Sequence, residues 1–126
     1  MQPRRGLSWL GWLAADIVGV LVFCAVGRRS HAEGVTIGGI ASTAWPFLTG
    51  TILGWLVARG WRRPTSVAPT GVIVWVSTVT VGMVLRKASS AGVATSFVIV
   101  ASSVTAVLLL GWRAVVGLRL RHRPDA

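Results

Sequence analysis

The chain holds 126 residues, 53% of them hydrophobic and only 13% charged, with a mean hydropathy of +0.70. Soluble domains average about 25% charged residues, so this sequence cannot cover its apolar surface in water. Thirteen Lys and Arg against three Asp and Glu give a formal net charge of +10, but the Arg residues sit in short clusters between apolar runs. That pattern argues against a nucleic-acid stripe and fits cations that flank membrane helices. The composition predicts an all-α integral membrane protein.

Four apolar runs, approximately 8–26, 43–58, 67–85 and 93–112, suffice to cross a hydrocarbon core of about 30 Å. They predict a single domain, a four-transmembrane-helix bundle followed by a basic tail over 113–126. Arg4 and Arg5 ahead of the first run resemble a signal-peptide n-region. Asp16 interrupts the run, however, and no A-x-A pattern comes after it, which predicts a retained helix rather than a cleaved signal. The second run starts near Thr43, with Pro46 in its first turn, where a missing N–H is harmless. An extension back through 37–41 would instead make Pro46 a kink. Val, Ile and Thr crowd the third and fourth runs, but open sheet edges are not tolerated in lipid, so these too are helices.

Cation counts orient the bundle. Arg4, Arg5, Arg59, Arg62, Arg63, Arg113, Arg119, Arg121 and Arg123 fall on one side; Arg28, Arg29, Arg86 and Lys87 fall on the other. Nine against four places both termini in the cytoplasm of a cell whose plasma (inner) membrane the chain crosses. Trp9, Trp45, Trp61 and Trp112 stand at run ends, suited to headgroup level. Trp12, Trp55 and Trp75 lie deeper and are expected between helices.

The segment from Asp16 through Phe23-Cys24-Ala25-Val26-Gly27-Arg28-Arg29-Ser30-His31, then Ala44-Trp45-Pro46-Phe47 with Gly54-Trp55, then Gly82-Met83-Val84-Leu85-Arg86, resembles an actinobacterial membrane-protein family. That family is catalogued as domain of unknown function 3054. The resemblance runs from about Asp16 to Trp112. It implies a small multi-spanning membrane protein and supplies no activity or catalytic residues.

Two groups of polar residues invite a role. Asp16 lies about midway along the first run, where an ionised carboxylate is disfavoured by at least ~2.5–3.5 kcal/mol. It shares a helical stripe with Trp9, Trp12, Gly19 and Phe23, so it faces other helices. No Lys or Arg is expected at its depth. Its expected partners are Ser77, Thr78 or Thr80 on the third helix, or Ser96, Ser102, Ser103 or Thr105 on the fourth, bonded to a protonated or hydrogen-bonded carboxyl. It is either a structural hydrogen bond or a proton site. The second group is an outer cluster of Arg28, Arg29, His31 and Glu33 with Arg86 and Lys87. Its cations compensate helix dipoles or grip an anion or lipid headgroup.

Small residues recur every four positions, Gly11, Ala15 and Gly19 in the first run and Gly50, Gly54 and Ala58 in the second. They predict close helix packing. One Cys, two distant His and few carboxylates give no metal spacing, no phosphate-cradling loop occurs, and no cofactor is expected. The residues point to a non-enzymatic structural or accessory membrane component. The alternative is a proton-coupled transporter or permease subunit for a small, anionic solute. Expected partners are the lipid bilayer with its anionic headgroups, and a second copy or another membrane protein, not nucleic acid.

Overall fold

The computed structural model describes residues 9–30, 36–89 and 95–121. Four helices result: α1 (Trp9–Ser30), α2 (Ile37–Ala58), α3 (Val72–Ala88) and α4 (Thr95–Arg121). Each of the four spans is long and apolar enough to cross a membrane. With polar groups turned inward and aliphatic side chains outward, they make this a multi-pass, all-α membrane protein.

The boundaries differ from the apolar runs for local reasons. α1 continues one turn past 26, to Ser30. α2 begins at Ile37 rather than 43 because Thr36 caps it. Thr36 is extended, its hydroxyl accepts from the Gly39 N–H at 3.0 Å, and its carbonyl accepts from the Ile40 N–H at 2.9 Å. A side-chain acceptor of this kind satisfies an otherwise orphaned amide. Pro46 is therefore buried inside α2, not in its first turn. Trp45 stands two turns within the helix instead of at its end.

The run beginning at 67 opens with a wide turn, Val67–Gly71, before regular helix starts at Val72. Ala68 is extended there (φ −130°, ψ 133°), as the residue before a proline tends to be. The Gly71 N–H reaches back to the Ser66 carbonyl at 2.9 Å. α4 runs through 112 to Arg121, because Ala114, Val115, Val116 and Leu118 prolong the apolar helix. Residues 113–121 are thus helix rather than a basic tail, and Arg113 is not a loop cation.

Around the bundle α1 packs on α2 and α4, and α3 packs on α2 and α4. The inward rows follow helical spacing. They are Asp16, Val20, Phe23 and Cys24 on α1; Val74, Thr78 and Gly82 on α3; and Ala101, Thr105, Leu109 and Arg113 on α4. α2 and α3 meet most closely. A Cβ on Gly50 would lie 2.6 Å from the Ser77 carbonyl oxygen, and one on Gly54 2.8 Å from the Val74 Cα. The Phe47 ring fills the space over Gly82 and meets Phe23 edge-on at 5.4 Å. The backbones approach because Gly lacks a side chain.

The small-residue row of α1 behaves differently. Gly19 touches Leu108 and Leu109, but Gly11 faces open space. Valine, leucine and isoleucine cover the outside instead, among them Val18, Val22, Leu56, Val57, Val84, Ile99 and Val107. A bilayer would bury that surface.

Candidate functional site

Asp16 is completely buried, and so is Arg113; they form an ion pair. Nη1 of Arg113 donates to Oδ1 of Asp16 at 2.8 Å, and Nη2 donates to Oδ2 at 2.6 Å. Planar guanidinium and carboxylate groups match in this two-pronged geometry. Two indoles complete the shell. Trp112 Nε1 donates to Oδ1 and Trp55 Nε1 to Oδ2, both at 2.8 Å. Both carboxylate oxygens therefore accept twice.

Arg113 is satisfied beyond the pair. Its Nε donates to the Pro64 carbonyl and its Nη1 to the Leu109 carbonyl, each at 2.9 Å. The guanidinium carbon lies 4.4 Å from the centre of the Trp112 ring, within cation–π range. Trp112 in turn stacks on Trp12, with centroids 5.3 Å apart and planes 3° from parallel. Trp9 lies against Trp55 at 6.3 Å. Two indoles thus touch the pair, and two more pack against them from α1. No fully buried side-chain nitrogen or oxygen atom among the described residues lacks a partner.

These contacts correct the expectation for Asp16. Ser77 donates to the Gly50 carbonyl and Thr51 pairs with Thr78. Thr105 and Ser103 bond their own helix. None of these supplies the Asp16 partner, which is a cation at the same depth. Asp16 is seven residues into the Trp9–Gly27 span and Arg113 six from the end of the Val98–Arg119 span. At 1.5 Å per residue, each lies roughly 10 Å from the corresponding end of its span, which leaves Asp16 close to the middle of its span and sets Arg113 beside it. An uncompensated charge there would be strongly disfavoured; the fork neutralises it.

Trp55 lies between helices, as its depth predicts. Trp12 does too, and Trp75 donates to the Ser102 carbonyl at 3.0 Å. Trp112 is turned inward rather than resting at headgroup level, whereas Trp61 is 43% exposed. In the outer cluster, Arg86 and Lys87 fall in the last turn of α3, at the negative end of its dipole. Arg28 and Arg29 end α1, but their side chains lie outside the described residues, as do His31 and Glu33 entirely. Among the described residues no group of three or more His, Cys, Asp or Glu could hold a metal ion.

A family model described as Protein of unknown function (DUF3054) matches residues 13–116. The match takes in both Asp16 and Arg113, and the chain belongs to that family. No curated protein and no solved structure matches the chain.

Proposed function

We propose that this protein is a structural or accessory component of the plasma membrane, without enzymatic activity, with both termini in the cytoplasm. One observation carries the reading: the most conspicuous intramembrane charge, Asp16, is fully engaged. Its oxygens accept from Arg113, Trp55 and Trp112, so an incoming proton would have to displace a donor. An ion pair held this way locks α1 to α2 and α4. The orientation rests on cation bias. With Arg113 removed from the loop count, Arg4, Arg5, Arg59, Arg62, Arg63, Arg119, Arg121 and Arg123 still outnumber Arg28, Arg29, Arg86 and Lys87.

Purified protein in liposomes under an imposed pH gradient tests the reading. The expected result is proton flux equal to that of protein-free vesicles, for the wild type and for Asp16→Asn alike. Gradient-driven flux that vanishes in Asp16→Asn would overturn it in favour of a proton-coupled transporter.

A further inference from the structure

On the face of the bundle that carries the α2–α3 connection, three arginines converge on one recess. α2 ends at Ala58, and Arg59 comes next in the left-handed conformation (φ 53°, ψ 54°), its N–H turned back to the carbonyls of Leu56 and Trp55. Such a conformation is uncommon for a residue with a side chain. The Arg62 N–H then donates to the Arg59 carbonyl at 2.9 Å, and the Ser66 N–H to the Arg63 carbonyl at 3.2 Å. These consecutive turns fold the connection back toward the amino end of α3. Between them lies an open pocket of about 440 Å³, lined by Ala58, Arg59, Arg62, Arg63, Pro69 and Thr70.

Three independent features give this pocket the chemistry of an anion site. First, the side chains of Arg59, Arg62 and Arg63 are exposed and have no hydrogen-bond or ion-pair partner among the described residues. Asp16 is the one acid in the described segments, and Arg113 occupies it. Second, Thr70 is only 1% exposed, lines the pocket, and makes no side-chain hydrogen bond among the described residues. Its hydroxyl is therefore left to pair with a group bound in the pocket. Third, Thr70 stands at the amino end of α3, where the helix dipole adds partial positive charge.

The surroundings say how the anion arrives. Leu56, Val57 and Val72 on the adjoining helix ends are exposed and apolar, and Trp61 beside Arg62 is 43% exposed. The pocket therefore sits where the apolar belt gives way to the basic connection, at headgroup depth. We propose that Arg59, Arg62, Arg63 and Thr70 form a binding site for a phosphate group, presented by an anionic phospholipid of the adjacent leaflet. Arg guanidinium groups grip phosphate oxygens by paired N–H donors, and the Thr70 hydroxyl supplies a second kind of contact. The inference does not depend on the role assigned to Asp16.

The test uses the full chain purified in neutral maltoside micelles. Binding of phosphatidylglycerol is read by native mass spectrometry, with phosphatidylcholine as the neutral comparison and inorganic phosphate as competitor. Arg62→Gln/Arg63→Gln should weaken phosphatidylglycerol binding at least about tenfold, as expected for lost charge-assisted contacts. Thr70→Val, which keeps the side-chain shape, should weaken it as well. The charge-matched Lys87→Gln/Arg119→Gln, at exposed positions away from the pocket, should leave it unchanged. Competition by inorganic phosphate would show that the phosphate group alone suffices. Lipid binding that free phosphate does not displace would assign the site to the lipid form. Equal loss in the Lys87/Arg119 pair, or unaltered binding in both Arg62→Gln/Arg63→Gln and Thr70→Val, would overturn the proposal. Should the double variant fail to fold, Thr70→Val alone decides.

Discussion

The guanidinium of Arg113 meets the carboxylate of Asp16 edge to edge, although 97 positions separate them in the chain. Neither has any solvent exposure. A pair in this setting is strongly interdependent, because removing one member strands the other in a medium that cannot solvate it.

Arg113→Leu and Asp16→Leu should accordingly each destabilise the bundle by about 3–5 kcal/mol. The double variant should recover much of the loss, since no buried charge is left alone. Arg113→Lys should behave more like a deletion than a conservative change, because an ammonium cannot supply the fork or also reach Pro64 and Leu109. Denaturant titration in mixed micelles across the four proteins of the cycle measures the coupling. Additive single losses would contradict it.

Trp55 and Trp112 are tested by phenylalanine, which keeps an aromatic ring and removes the N–H. Each replacement leaves one carboxylate oxygen of Asp16 short of a donor. Hydrogen bonds to charged groups contribute about 1.5–3 kcal/mol, so a loss in that range is expected for Trp55→Phe. Trp75→Phe removes a bond to a neutral carbonyl and should cost less. The comparison is a ranking of Tm values in one detergent.

Close approach of α2 and α3 makes Gly50→Ala a sensitive probe. The added Cβ would meet backbone atoms of Ser77 and Thr78 at 2.6–3.0 Å, which no rotamer change relieves. Overpacking of this kind destabilises by about 1–3 kcal/mol. Gly11→Ala and Gly111→Ala meet open space and should be neutral or slightly stabilising, as Ala favours helix by about 1 kcal/mol over Gly. Thermal unfolding of the three variants separates the cases.

Orientation is checked with reporters. A fusion after Ala126 should read as cytoplasmic, and one inserted at Gly34 as external. Opposite readings at both positions would invert the bundle.

The four spans are legible in the sequence because each apolar run is long, and β-branched content cannot compete with the demand of lipid for internally bonded backbone. The buried centre is half legible. Asp16 stands out as a lone acid in an apolar run, but Arg113 reads as the first residue of a flanking basic cluster. Ala114-Val115-Val116 is the signal that distinguishes it: the apolar run resumes there, so Arg113 interrupts a helix instead of ending one. Its spacing of four from Leu109, and theirs from Thr105 and Ala101, puts it on the inward row. The start of α2 is hidden by Pro46, whose usual place is a first turn, while the Thr36 cap ten residues earlier sets the boundary. Arg59, Arg62 and Arg63 read only as orienting charge, because their gathering around Thr70 depends on the turns of the connection.

The ion pair joins α1 to α4, and this fixes an order of events during synthesis. α1 enters the bilayer carrying a carboxylate whose counterion is still unmade. Until Arg113 leaves the ribosome, Asp16 must be sheltered by water, by the insertion machinery or by a borrowed proton. A nascent chain stopped after α3 lacks the residue that makes α1 comfortable in lipid. Such a product is expected to be a substrate for membrane quality control, and completion of α4 is the moment at which the protein becomes safe from it.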